Sequence, residues 1–185
     1  MHHVATRAFL VLAAAALGAG AAEAQVGLTS NIAQVSINAT KRSLLSVAVT
    51  SGATQSLATL TDNTTNDFAT PVAITTTWDL NAGASVSLIG WFGSAANALV
   101  SGGNAIPSSW VKASLNGSAT YNAFNQNAVA GVGSAGGSLA IFSTPTNPPL
   151  SGSRNDNLGL QIDLTGQTLV PGTYSGTLNL QAVVQ

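Results

Sequence analysis

The sequence predicts an all-β protein: a single antiparallel β-sandwich of about eight strands behind an N-terminal signal peptide. Three observations carry the prediction. Apolar residues alternate with Ser, Thr, Asn and Gln over stretch after stretch of the chain, the period-2 signature of a half-buried strand. Clusters of Gly, Pro, Asn, Ser and Thr separate those stretches, as turns do. One short, unbroken apolar run precedes them all.

That run comes first. Arg7 gives a weakly basic start, the apolar segment extends from Ala8 to Ala22, and Ala22 and Ala24 form an A-x-A arrangement before Gln25. The run is too short to span a bilayer and no charged flank follows it, so residues 1–24 read as a secretory signal peptide and 25–185 as one exported domain. The expected location is the periplasm, the cell surface or the medium.

The strands follow in order. "IAQVSINAT" (32–40) places Val35 and Ile37 on one face, and "LLSVAVTSG" (44–52) does the same with Leu45, Val47 and Val49. "PVAITTTWDL" (71–80) alternates Val72, Ile74, Thr76, Trp78 and Leu80 against Ala73, Thr75, Thr77 and Asp79. "ASVSLIGWF" (84–92), "SWVKASL" (109–115), "GSLAIFS" (137–143) and "NLGLQIDL" (157–164) continue the series. Only "SAANALV" offers room for a helical turn. Last comes "PGTYSGTLNLQAVVQ": the Pro171-Gly172 turn pair, then Tyr174, Leu178, Leu180, Ala182 and Val184 on one face against Thr173, Ser175, Thr177, Asn179 and Gln181 on the other. The number and spacing of these strands point to an Ig-like sandwich, with no internal repeat and no linker.

Composition narrows the chemistry. Removal of residues 1–24 takes both histidines (His2, His3), the single methionine and the single glutamate (Glu23), and cysteine is absent throughout. Lys41, Arg42, Lys112 and Arg154 then face Asp62, Asp67, Asp79, Asp156 and Asp163. No basic stripe exists for a nucleic acid backbone. Without His, Cys or Glu the usual tunable base, thiol nucleophile and zinc ligands are missing, and an exported chain without disulfides is held by its core. The expectation is no enzyme activity and no cofactor.

Motif matches were weighed in context. "GVGSAG" (131–136) satisfies G-x-G-x-x-G, with Asp156 near the distance of a ribose-binding acid, but a strand follows it where a phosphate loop needs a helix. Ser109 and Lys112 match S-x-x-K, yet on a strand they point to opposite faces. "DNTTND" gathers oxygens of Asp62, Asn63, Asn66 and Asp67, either a calcium loop or a polar turn. Trp91, Trp110 and Tyr121 either stack on sugar rings or fill the core and cap the sandwich ends. The sequons at Asn38, Asn63 and Asn116 read as turn and strand chemistry behind a leader of bacterial type.

The tail from Pro171 to Gln185 resembles the C-terminal strand of bacterial pilin-like subunits, including chaperone–usher fimbrial and spore coat U-like domains. Val184 stands where those subunits commonly carry a penultimate tyrosine, and their cysteine pair is missing here. The resemblance implies an Ig-like sandwich that polymerises when a strand of one subunit completes the sheet of the next. The surface points independently in the same direction, because it carries few of the charges with which soluble β proteins guard their edges. The expected function is therefore a self-associating structural subunit of a surface assembly, with Tyr174, Leu178, Asn179, Leu180, Gln181, Ala182 and Val184 as the assembly strand and a homo-oligomer or filament neighbour as partner. A secreted adhesive or glycan-binding module is the alternative.

Overall fold

The structure, a computed structural model, describes residues 31–81, 85–146 and 150–185; the leader expected at 1–24 lies outside the described residues. The chain divides into a unit ending at Ala39 and a second from Thr40 to Gln185. Residues 31–39 of the first are irregular and exposed.

The second unit is all-β and antiparallel. Its described strands are β1 (Leu44–Ser51), β2 (Thr65–Asp67), β3 (Val72–Asp79), β4 (Ser85–Phe92), β5 (Leu99–Ser101), β6 (Asn104–Ile106), β7 (Val111–Leu115), β8 (Asn122–Ala123), β9 (Ser138–Pro145), β10 (Ser151–Asp163) and β11 (Leu178–Val184). The larger sheet runs β1-β3-β10-β7-β8, with β2 pairing on β10 beyond the end of β3. A second sheet runs β11-β4-β9, and β5-β6 form a small hairpin.

Alternation explains why these segments pair. In β3, Val72, Ile74, Thr76 and Trp78 are buried while their neighbours are only half-covered, so a one-residue slip would expose the whole set. The buried faces of the two large sheets share one core. Ile74, Leu158 and Ile162 enter it from the larger sheet, and Val86, Leu88 and Phe92 from the smaller. Phe124, fully buried, meets Phe92 edge-on with ring centroids 5.2 Å apart. Such an offset geometry suits the ring quadrupoles. Trp78 lies flat over Gly152 on β10, where an added Cβ would come within 2.9 Å of the indole.

One charged pair packs against this core, its aspartate buried and its arginine half-buried. Arg154 and Asp156 sit two apart on β10 and so share a face. Arg154 Nε donates to Asp156 Oδ2 at 2.6 Å and Nη2 to Oδ1 at 2.9 Å; Nη1 donates to Thr144 Oγ1 of β9 at 3.1 Å. The guanidinium lies 4.1 Å from the Phe142 ring centre, and Asn116 Nδ2 donates to Asp156 Oδ1 at 2.7 Å. The Asp156 side chain is 1% exposed, so these partners take the place of water around its oxygens.

Seven of the expected strands are present, with shifted ends, and five expectations are corrected. Residues 32–40 form no strand: alternation makes a segment suited to pairing, but here no neighbouring edge takes it up. "SAANALV" holds bends and the start of β5 rather than a helical turn; the helical turn is a 3-10 turn at Ser108–Trp110. The described residues hold eleven strands where about eight are expected, because β2, β5, β6 and β8 are two or three residues long and carry no readable period. β10 begins at Ser151, inside a stretch that reads as loop, and β11 begins at Leu178 rather than Tyr174.

The buried pair yields a stability prediction. Arg154→Met leaves the Asp156 carboxylate with Asn116 as its remaining side-chain donor and should lower unfolding free energy by about 1–3 kcal/mol, whereas the double apolar variant Arg154→Met/Asp156→Leu should recover most of that loss. Urea unfolding of both variants measures it; equal losses in the two would contradict the assigned role.

Candidate functional site

The site with the most distinctive geometry lies beside β11. This strand is the end member of its sheet, paired with β4 from Leu178↔Phe92 to Val184↔Val86. Gln185 N–H donates to the Ser85 carbonyl at 2.9 Å and Ser85 N–H to the Gln185 carbonyl at 2.9 Å, so the ladder continues through the last residue. The other edge of β11 has no strand partner among the described residues. β1 is likewise the end member of the larger sheet. The two end strands touch.

Where their flanking chains diverge, an open groove of about 860 Å³ reaches down to the core. Its floor is Phe92, Val111, Leu160 and Ile162. One flank, carrying Leu57 and Leu60, is the chain of residues 53–60, which belongs to no strand. The opposite flank carries Leu169, Tyr174, Leu178 and Leu180. Tyr174 is tied back by its hydroxyl, which donates to the Val170 carbonyl at 2.9 Å. Gly176 lets this flank pass the small hairpin, since a Cβ there would sit 2.0 Å from the Ala98 carbonyl oxygen. Pairing with β4 starts at Leu178, opposite Phe92 at the end of that strand.

The expected assembly residues thus lie together. Leu178, Leu180, Ala182 and Tyr174 are half-buried against the core, and Val184 is exposed. On the other face Gln181 is exposed, while Asn179 Nδ2 donates to the Trp91 carbonyl at 3.3 Å. Leu57, Leu60 and Leu169 escaped sequence reading, because isolated leucines in irregular chain carry no period.

The side chains of Asp62, Asn66 and Asp67 are engaged separately, and Asn63 is held through its backbone. Asp62 Oδ1 accepts from Leu169 N–H at 3.0 Å and Asn63 N–H donates to the Gln167 carbonyl at 3.1 Å, tying the two flanks of the groove together. Asn63 holds a positive φ of 56°, which Asn tolerates. Asn66 accepts from Thr61 N–H at 2.7 Å and points its amide at the Thr61 and Thr64 carbonyls, 3.0 and 3.2 Å away. Asp67 Oδ1 accepts from Gln161 Nε2 at 2.7 Å. The geometry is that of a turn held by its own side chains.

The aromatics do not form one surface. Trp91 is half-buried in the smaller sheet. Trp110, in the 3-10 turn, packs against the core. Tyr121 lies by Ser114 and Gly159 of the larger sheet. "GVGSAG" is a tight loop leading into β9, with Ser138 Oγ donating to the Ser134 carbonyl at 2.7 Å and accepting from Ser134 N–H at 2.8 Å.

Ser109 sits in the 3-10 turn, whereas Lys112 stands on β7 and donates to Asp163 Oδ2 at 2.6 Å. That hydrogen bond, followed by those from Thr165, holds the Asp163 carboxyl well below the ordinary carboxylate range. A depressed folded-state value means stability present above the unfolded value of about 4 and lost as pH falls through the folded one. Asp163→Asn should therefore be weaker than wild type by about 1 kcal/mol near neutrality. That deficit should shrink in strong acid, and a deficit equal at about pH 7 and about pH 2 would contradict the assignment.

The turn geometry of Asn66 makes a second prediction. Asn66→Ala should cost about 2 kcal/mol, by the same amount with added calcium or with chelator. A wild-type melting temperature that drops in chelator would restore the calcium reading. No family model, curated protein or solved structure matches this chain.

Proposed function

We propose that this chain is a non-catalytic structural subunit, exported to the cell surface, whose copies associate by adding a β-strand beside β11 in a pilus-, coat- or matrix-like assembly. The observation that carries the reading is the juxtaposition of an unpaired strand edge with a groove of about 860 Å³ floored by core residues. An open row of N–H and C=O groups is a template for another strand, and an apolar trough beside it supplies pockets for alternate side chains of that strand. Together they suit β-augmentation.

Composition supports the same reading. Residues 25–185 contain no His, Cys or Glu and nine Asp, Lys and Arg side chains, so little acid–base or nucleophilic chemistry is on offer and little charge keeps copies apart. We read the arrangement as an Ig-like sandwich short of one strand on the β1–β11 side. Glycan binding as the principal role is disfavoured by the dispersed positions of Trp91, Trp110 and Tyr121.

Asn179 and Gln181 stand on the face of β11 away from the core, so Asn179→Lys/Gln181→Lys should leave the fold intact. The variant should need at least about tenfold higher concentration than wild type to assemble, through like charges and edge lysines. Sedimentation over a concentration series, with circular dichroism to verify folding, makes the comparison. A wild type that stays monomeric on cells and in concentrated solution overturns the proposal; a lysine variant that assembles normally moves the contact away from β11.

A further inference from the structure

We infer that Gln126 guards the other end of the smaller sheet, the edge of β9, and so confines association of copies to the β11 edge. The guard is read from the hydrogen bonds of Gln126; its consequence for assembly rests on the reading above. The two sides of the sandwich differ. On one side the end strands β1 and β11 touch without pairing. On the other, residues 122–126 pass from sheet to sheet. Asn122 and Ala123 pair with β7 at the end of the larger sheet, Phe124 is buried in the core, and Gln126 pairs with Ser138 of β9 at the end of the smaller one.

Gln126 N–H donates to the Ser138 carbonyl at 2.8 Å, and Ser138 N–H donates to the Gln126 carbonyl at 3.1 Å. Such an exchange is the closely spaced pair of an antiparallel ladder, whose next rung would set Phe124 against Ala140, two residues along each chain. Phe124 does not supply that rung. Its N–H donates to the Val111 carbonyl at 3.1 Å, and its ring is held edge-on to Phe92. The Gln126 side chain takes the place instead: Oε1 accepts from Ala140 N–H at 2.8 Å. One residue thus satisfies both backbone groups of Ser138 and the N–H of Ala140. Farther along, Pro145 ends β9 without an N–H to offer.

Gln126 and Ala140 are both exposed, so water could serve this N–H as well as an amide oxygen does. What a fixed acceptor adds is exclusion, because an N–H already engaged is no template for an arriving strand. On β11 the amide of Asn179 turns to the Trp91 carbonyl of β4 rather than to the outer edge. The subunit therefore has one receptive end to its smaller sheet, and copies cannot run on from β9 into a continuous sheet.

Amide exchange and association read the guard separately. In Gln126→Ala protein, with folding verified by circular dichroism, the Ala140 amide should exchange more than roughly tenfold faster than in wild type. Gln126→Glu keeps an acceptor oxygen at the same reach and should hold the wild-type rate. Added to the Asn179→Lys/Gln181→Lys chain, Gln126→Ala should restore association at a concentration at least about tenfold below that of the double lysine chain, with protection gained at β9. Gln126→Asn, one methylene shorter, replaces the alanine variant if the latter fails to fold. Equal Ala140 exchange in wild type and the shortened variant overturns the guard. Faster exchange with no gain of association overturns the confinement of copies to β11. A wild type that never assembles removes the proposed function alone, because the gain of association through β9 is then read against a monomer.

Discussion

The unpaired edge of β11 is the constraint on which the account depends. Backbone N–H and C=O groups removed from water need partners, and sheets satisfy this everywhere except at their ends. In this chain two sheet ends, β1 and β11, come together on one side. The core beneath them opens into a groove rather than being sealed by a final strand. Phe92, Val111, Leu160 and Ile162 thus belong both to the folding core and to the groove floor. Under the proposed association, stability and assembly would be coupled through the same atoms. Anything that fills the groove adds apolar burial and backbone pairing to a domain already folded without it, and ligation of the folded state raises its stability by mass action.

The remainder of the domain is arranged so that the opening does not undo it. Flanks of the groove are tied by Asp62 to Leu169 and by Asn63 to Gln167. The 169–177 flank is further held to the β5–β6 hairpin, with Ser175 and Val100 exchanging backbone hydrogen bonds of 3.0 and 2.8 Å. The Arg154–Asp156 pair links β10 to Thr144 and Phe142 of the smaller sheet. With no cysteine in the chain and few ion pairs among the described residues, these local ties hold the flanks in place. Low charge has a consequence of its own. Lysines and inward charges are the usual guards against edge-to-edge pairing, and on β11 the corresponding positions are Asn179 and Gln181.

Much of the fold is legible in the sequence because the strands that build the core are long enough to display a period. β3, β4 and β11 occupy the segments expected of them within a few residues. Segments that could not be read share a physical reason. β2, β5, β6 and β8 take their conformation from tertiary pairing, not from pattern. The 32–40 segment has pattern without pairing: its alternation suits a strand, and it forms none. For the candidate site, the β11 residues were legible from their alternation. Leu57, Leu60 and Leu169 were not, because a groove is defined by chain segments distant in sequence.

Amide hydrogen exchange in the assembled and dispersed states tests the central claim most directly. If a strand is added beside β11, the β11 amides that face away from β4 should slow by more than roughly tenfold on assembly. Amides of β9, at the opposite edge of the smaller sheet, should keep their rates. Slowing confined to surfaces elsewhere, with the β11 edge exchanging in the assembly as it does in the single chain, would contradict the account.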